Sequence, residues 1–480
     1  MSFNSYIFIL LLLPISVTGY FALSRIKQEF GLMWLLISSL VFYAWAGISC
    51  FILLIASLLL NYIFTVLLKK NSSKAVLTIG IVLNVLLLIY FKYSGFLLDN
   101  INALFKTSFI LQHIVLPLGI SFFTFTQISW LVDTYRGETK GYSLLEYALF
   151  ITYFPKMAEG PIALHGDILP QFADKTKKEV NFDNLSRGIM IFTLGLFKKL
   201  MIADTLGKAV DWGFGYVYDL YSLDIWIVML AYTLQIYFDF SGYCDMASGV
   251  SLMLNIDLPL NFNSPYKALS ITDFWKRWHI SLTSFLRKYV YFPLGGSKKG
   301  TVRTYINMMI VFIVSGIWHG ANWTFILWGA LHGACQVLHR IFRKPFDILP
   351  AVIKWFVTFL FVNIAWLLFR ADSVAQWWYM VCKAFGIKYR TMHEELVSVF
   401  KIPKLRSLLG AVGIPYTDMG VYVFGMVLML VACMFICLVP KHNLEREHKT
   451  NAFTLVVTMA LFIVCLLSLS NVTSFLYFNF

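Results

Sequence analysis

The segment from Asn307 to Ala334 contains S-G-I-W-H-G-A-N-W-T-F-I-L-W-G-A-L-H-G, which sets His319 in a run otherwise nearly free of ionisable groups. An ionisable side chain in a segment apolar enough for a bilayer must be paired or hydrated to persist, and so marks a functional site by default. A neutral imidazole, with a reference pKa of about 6.5, accepts a proton at working pH, as a general base must. Gly316 and Gly320 leave room for a substrate to approach, and Trp318 and Trp323 are placed to wall its cavity, with Asn322 between them in sequence as a supporting polar group. The competing reading is a packing histidine bonded to a backbone carbonyl. His332 is the rival candidate; it also precedes a glycine, but 13 residues further on it falls on a different helical face. His332 and His339 can share a face, yet no carboxylate accompanies them at ligand spacing, so no metal site is expected.

A second histidine lies in T-D-F-W-K-R-W-H-I-S-L-T-S-F-L-R-K-Y, residues 272–289. Thr272 can cap a helix here, with Asp273 favourable in its first turn. On a helical wheel Phe274, Trp278, Leu282, Phe285 and Tyr289 form one aromatic-rich stripe, flanked by Lys276 and Arg287 on one side and Arg277 and Lys288 on the other. The pattern predicts one amphipathic helix at the membrane interface, its basic flanks anchoring to headgroups. With Lys298, Lys299 and Arg303 beyond, those flanks also suit a phosphate-bearing donor such as coenzyme A. His279 sits at the stripe's edge and reads equally as a structural histidine making one hydrogen bond. The loop G-G-S-K-K-G (295–300) lacks P-loop spacing, so nucleotide hydrolysis is not supported. Asp239 and Asp245, in Y-F-D-F-S-G-Y-C-D, read as buried carboxylates paired with Lys or Arg near the core, and Glu159 in M-A-E-G-P as a third of the same kind.

These residues need apolar elements to hold them. Of 480 residues 59% are apolar or aromatic and 13% are charged, about half the charge of a soluble domain. Apolar runs of spanning length recur throughout, near 6–24, 31–47, 50–68, 75–91, 112–131, 143–160, 187–206, 225–254, 304–318, 322–340, 351–369, 420–439 and 452–470. The expectation is a single all-α polytopic membrane domain of about 10–13 membrane segments, some of them re-entrant. Arg25 and Lys27 follow the first run, the reverse of a cleavable signal, so it reads as a retained span with the N-terminus outside. Lys69, Lys70 and Lys74 share the side of Arg25 and Lys27 if 31–68 is a hairpin turning near Ala46-Gly47, and that side is expected to be cytoplasmic. The net charge of +14 is accounted for by such loops beside anionic headgroups, and no soluble basic surface points to nucleic acid. The seven cysteines form no C-x-x-C pair and read as small buried hydrophobes. Pro117, Pro155, Pro161, Pro259, Pro265 and Pro293 break apolar runs between 117 and 333, and broken helices survive at membrane depth only inside protein or along a watery cavity. That stretch is expected to carry the site; 1–110 and 350–480 are expected to be mainly scaffold.

F-D-F-S-G-Y-C-D-M-A (238–247), N-F-N-S-P-Y (261–266), I-T-D-F-W-K-R-W-H-I-S-L (271–282), Y-F-P-L-G-G (291–296) and W-H-G-A-N-W-T-F-I-L-W-G-A-L-H-G (318–333) resemble the membrane-bound O-acyltransferases, in their bacterial alginate O-acetyltransferase branch. P-L-G-I-S-F-F-T-F (117–125), G-P-I (160–162), G-L-F-K-K-L-M-I-A-D (195–204) and the tail F-L-Y-F-N-F extend the likeness over nearly the whole chain. The resemblance implies a ring of helices around a thin wall pierced by a tunnel. His319 corresponds to the catalytic histidine and His279 to a second functional histidine on the donor side. It further implies acetyl-CoA as cytoplasmic acyl donor, a polysaccharide acceptor reached through an extracytoplasmic acyltransferase- or esterase-like partner, and residence in a bacterial inner membrane. Glu159 departs from the branch, which often has a small or apolar residue before G-P. Two other readings stand beside this one: a D-alanyl transfer protein for teichoic acid fed by a carrier protein, and a transporter or channel, which also uses broken helices and intramembrane His and Asp.

Overall fold

The apolar runs fold as helices, and every regular element among the described residues is helical. The structure is a computed structural model that describes residues 1–110, 114–139, 141–386, 392–402, 404–440, 451–469, 473 and 475–476. Among the described residues six helices are long and apolar enough to cross a membrane: Ile48–Lys70, Lys74–Phe105, Ser222–Met253, Thr301–His319, Ala351–Arg370 and Asp418–Leu438. Phe8–Ser24, Gln28–Ala44 and Ala452–Leu467 are apolar but shorter. This is a multi-pass, all-α membrane protein. Ser222–Met253 is its central post. In that helix 83% of the most apolar window is buried, against 17% for Lys74–Phe105, so the first faces protein and the second faces outward.

The molecule has two distinguishable ends. The Lys69 ammonium, at the close of Ile48–Lys70, donates to the Tyr142 carbonyl at 2.9 Å, and the Tyr142 ring stands 6.2 Å from that of His165. Lys69, Lys70 and Lys74 therefore mark a basic end. The Ala46-Gly47 turn, one helix length away, marks the far end. His319 lies well up from the basic end. The helices Lys74–Phe105 and Thr301–His319 meet where Lys92 touches the last residues of the second, and each has by then climbed 18 residues from its start.

Residues 143–160 form one of the re-entrant segments. Leu144–Thr152 starts at the basic end from a capping box of Ser143 and Glu146. Pro155 opens a four-residue turn of helix at Phe154–Met157, and the chain then returns. His165 comes back to within 3.0 Å of Asp133, at the end of the preceding helix Ile120–Tyr135. The segment is thus re-entrant, and its tip, A-E-G-P-I, lies inside the protein. Gly119 closes the joint: its φ of +66° is costly for other residues, and a Cβ there would stand 2.7 Å from the Met157 carbonyl oxygen.

Of the three buried carboxylates singled out in the sequence, Asp239 and Asp245 are paired as expected, whereas Glu159 has no hydrogen-bond partner. Lys198 meets Asp245 at 2.7 Å, and Lys199 meets Asp239 at 2.7 Å and Asp204 at 2.9 Å. Near the C-terminus the Leu476 amide donates to Asp239 at 3.0 Å and the Thr473 hydroxyl to Asp204 at 2.6 Å, while residues 477–480 of the tail motif lie outside the described residues. Asp239 and Asp245 therefore brace the central helix. All seven cysteines are free; five are buried as expected, Cys335 is half-buried and Cys382 is exposed.

Candidate active site

The stretch 272–289 is not one helix and does not lie on the membrane surface. Ser270, rather than Thr272, caps Ile271–Arg277 by accepting from the Asp273 amide. The helix stops at Trp278 and a second, Ile280–Leu286, begins after His279. At the break His279 has φ +46° and ψ +53°, a left-handed conformation that non-glycine residues adopt rarely and at a cost. Asn261 holds it there. The Asn261 carbonyl accepts from the Ile280 amide at 3.0 Å; its side-chain oxygen meets His279 Nδ1 at 3.1 Å and accepts from the Ser281 hydroxyl at 2.9 Å. Ser281 in turn accepts from the Ile162 amide at 2.9 Å, joining the re-entrant tip to the same point.

The aromatic stripe is core, not lipid anchor. Phe274, Trp278, Leu282 and Phe285 are buried, and Trp278 packs against Phe274, Phe262 and Trp366. A stripe facing protein and one facing lipid look alike in sequence, because lipid tails are as apolar as leucine. Trp278 thereby fixes the backbone on one side of His279.

His319 ends the helix Thr301–His319, and its ring centroid is 6.2 Å from that of His279. Both rings are buried, with Trp318, Trp328 and Phe369 packed around His319. Gly316 and Gly320 do not make room for substrate. A Cβ on Gly316 would meet the Phe325 carbonyl oxygen at 2.3 Å and one on Gly320 the Phe325 ring at 2.1 Å, so they admit the neighbouring helix Trp323–Ile341. His319 and His332 thus lie on different helices, and the single-wheel comparison does not apply: Trp328 touches both rings. His332 Nδ1 accepts from the Trp275 indole at 3.1 Å, whereas His339 Nδ1 pairs with the Thr272 hydroxyl at 3.0 Å, so the two do not face a common ligand.

Lys92, which sequence reasoning missed, clamps the end of the His319 helix. It lies where Lys74–Phe105 widens to π geometry over Ile89–Tyr93. Its ammonium donates at 2.8 Å to both the Trp318 and His319 carbonyls, and the adjacent Tyr93 hydroxyl donates to the Ile317 carbonyl. A cation on terminal carbonyls also complements the helix dipole. Lys92→Met is expected to destabilise the protein by about 2–4 kcal/mol, the worth of two charge-assisted hydrogen bonds to carbonyls left bare. It should also slow transfer, since His319 loses its fixed backbone. Thermal melts in detergent alongside rates check this; an unchanged melt and rate would refute the clamp.

Two cavities lie near the histidines, and His319 lines one of them. The far cavity, about 190 Å³, is lined by Ala46, Lys92, Gly119, Glu159, Trp318 and His319 among others. The second, about 220 Å³, lies toward the basic end and is lined by Lys276, Leu282, Leu286, Arg287, Tyr291 and Ser315 among others. One small apolar cluster contributes to both linings: Phe122 and Trp318 of the far cavity pack with Leu282 and Leu286 of the other, together with Phe285 and Ile162.

Several expected residues fall elsewhere. Trp323 is 57% exposed and donates to Asn100 at 2.9 Å, so it walls no cavity. Asn322 caps Trp323–Ile341 through the Thr324 amide and bonds the Asp372 carbonyl. Arg277 pairs with Asp273 at 2.9 Å and does not line the basic-end cavity that Lys276 and Arg287 line. Among the described residues Asp133, Glu138 and His165 stand at metal-ligand spacing. Lys288 already sits 3.0 Å from Asp133 and 3.1 Å from Glu138, so an ammonium supplies the positive charge there.

The sequence model of the MBOAT, membrane-bound O-acyltransferase, family matches residues 22–381. The chain belongs to that family. It is an O-acyltransferase. A peptidoglycan O-acetyltransferase from Helicobacter pylori is 42% identical to it over 407 residues, 78% of this chain and 77% of that one. A probable alginate O-acetylase from Azotobacter vinelandii is 39% identical over 407 residues, 82% and 80% of the two chains. A teichoic acid D-alanyltransferase from Bacillus subtilis is 30% identical over 235 residues, covering 47% of this acyltransferase and 60% of its own length.

Proposed function

We propose that this acyltransferase moves an acetyl group from acetyl-CoA, bound in the basic-end cavity, to a hydroxyl acceptor in the far cavity. The acceptor belongs to a cell-surface or exported polysaccharide, or to an extracytoplasmic partner that delivers the group onward. The observation that carries this reading is the His279–His319 pair, 6.2 Å apart, with His319 lining the far cavity and one apolar cluster contributing to the linings of both cavities. Lys276 and Arg287 offer the basic-end cavity charges for the phosphates of a coenzyme A donor. That end carries the basic loops and is the cytoplasmic one by the positive-inside rule, in a bacterial inner membrane.

In the reaction an acceptor hydroxyl oxygen attacks the thioester carbonyl as His319 takes its proton. The C–O bond forms, the C–S bond breaks, and the proton passes to the departing thiolate as free coenzyme A. The thiolate is a good leaving group, so proton removal and positioning are the main demands on the protein. His279, held rigidly by Asn261, orients the thioester. Similarity to named O-acetyltransferases over about four fifths of the chain supports an acetyl donor over D-alanyl transfer, for which the likeness covers under half.

Radiolabelled acetyl-CoA supplied to purified protein tests the donor, with a D-alanyl carrier protein as the competing donor. The double variant Lys276→Glu, Arg287→Glu should raise the acetyl-CoA KM roughly tenfold or more at low salt, the phosphates then meeting like charge. Label transfer from the carrier protein alone, or from neither donor, would contradict the proposal.

A further inference from the structure

Glu159 is the least explained polar group in the protein. It is 1% exposed, and neither carboxyl oxygen has a hydrogen-bond partner. It lines the same far cavity as His319. Burying a polar group without partners is costly, and more so if it is charged. Neighbouring charges do not relieve it, because Lys92 is committed to two carbonyls and Lys199 to Asp239 and Asp204. The backbone around it is closely packed. A Cβ on Gly160 would meet Lys156 Cα at 2.4 Å, Gly119 abuts Met157 and Ala158, and Ile162 is tied to Ser281. The re-entrant tip thus holds an unsatisfied carboxyl on a residue that lines the far cavity together with the proposed base.

We propose that Glu159 binds the acceptor: its carboxyl takes hydrogen bonds from hydroxyl or amide N–H groups of a glycan next to the hydroxyl that His319 activates. The proposal rests on the acyl-transfer reading above and adds to it the residue and the substrate chemistry of the far cavity. A ligand rich in hydrogen-bond donors satisfies both carboxyl oxygens. Glu159 is accordingly an acceptor-binding and specificity-determining residue, kept at a cost in stability that the bound ligand offsets.

The test uses the full-length protein in detergent, with acetyl-CoA as donor and a soluble N-acetylglucosamine oligomer, which offers both kinds of donor, as acceptor probe. Glu159→Ala should raise the acceptor KM tenfold or more while acetyl-CoA affinity stays within twofold. Its melting temperature should stay level or rise, because an unsatisfied group has been removed. Glu159→Gln keeps an acceptor oxygen and should fall between wild type and Glu159→Ala. A lowered melting temperature with an unchanged acceptor KM would make Glu159 a structural residue and overturn the proposal, as would a KM and melt both unchanged. Donor binding by the wild type without transfer to the oligomer would equally overturn it. If the wild type neither binds acetyl-CoA nor uses it with any acceptor, the acyl-transfer reading itself fails, a different and recognisable result.

Discussion

His319→Ala is expected to lower kcat/KM for acetyl transfer by about 10²–10⁴-fold, the contribution of a positioned general base. The loss should come without unfolding. The Lys92 and Tyr93 clamp bonds main-chain carbonyls of residues 317–319, which alanine retains. The side chain itself packs in an aromatic box of Trp318, Trp328 and Phe369, so some stability is lost with the ring. Release of free coenzyme A thiol, followed in the same preparation as a thermal melt, separates the two effects. Retained transfer in a folded variant would remove His319 from the mechanism.

Asn261→Ala should be nearly as damaging, although Asn261 is argued to touch no substrate. Its side-chain oxygen meets the His279 ring and the Ser281 hydroxyl, and its amide donates to the Cys244 sulfur at 3.3 Å. Removing them leaves the Ser281 hydroxyl short of an acceptor and the left-handed His279 backbone without side-chain support. The stability loss should be about 1–3 kcal/mol. A displaced His279 ring should reduce transfer by roughly 10²-fold, the effect expected of a misplacement near 1 Å. Asn261→Asp keeps the accepting oxygen and should recover much of the rate. If Asn261→Ala lost stability but kept full kcat, with Asn261→Asp no better, Asn261 would be structural only.

His319 was legible because cost marks it, as an ionisable group in an apolar run; His279, at the edge of an aromatic stripe, stood out only through the resemblance. Their setting was not legible. A helical wheel drawn through residues 272–289 assumes continuous helix, whereas Asn261, from a separate loop, supplies the bonds that break it at His279. The wheel also cannot tell lipid from protein, and so the stripe of Trp278 and Phe285 read as the face of an interfacial helix when it is core. Trp323 and Asn322 lie close to His319 in sequence, but the chain turns at Gly320 and carries Trp323 to the surface. Lys92 is 227 residues from the carbonyl it caps, and its role depends on two helices rising in parallel from the basic end. Glu159 read as one more paired carboxylate until the re-entrant tip placed it on the far cavity without a partner. The ion pairs of Asp239 and Asp245 came out as anticipated, because a carboxylate in so apolar a helix has few alternatives to a lysine.

The central claim is that one histidine pair serves a donor cavity toward the basic end and an acceptor cavity toward the far end. Its most direct test is a sidedness assay in sealed proteoliposomes of known orientation, with labelled acetyl-CoA confined to the face of Lys69 and Lys70 and a membrane-impermeant hydroxylated acceptor on the other. The account predicts acetylated acceptor on the opposite face, abolished by His319→Ala, and no product when donor and acceptor exchange faces. Transfer only when donor and acceptor share a face would contradict it.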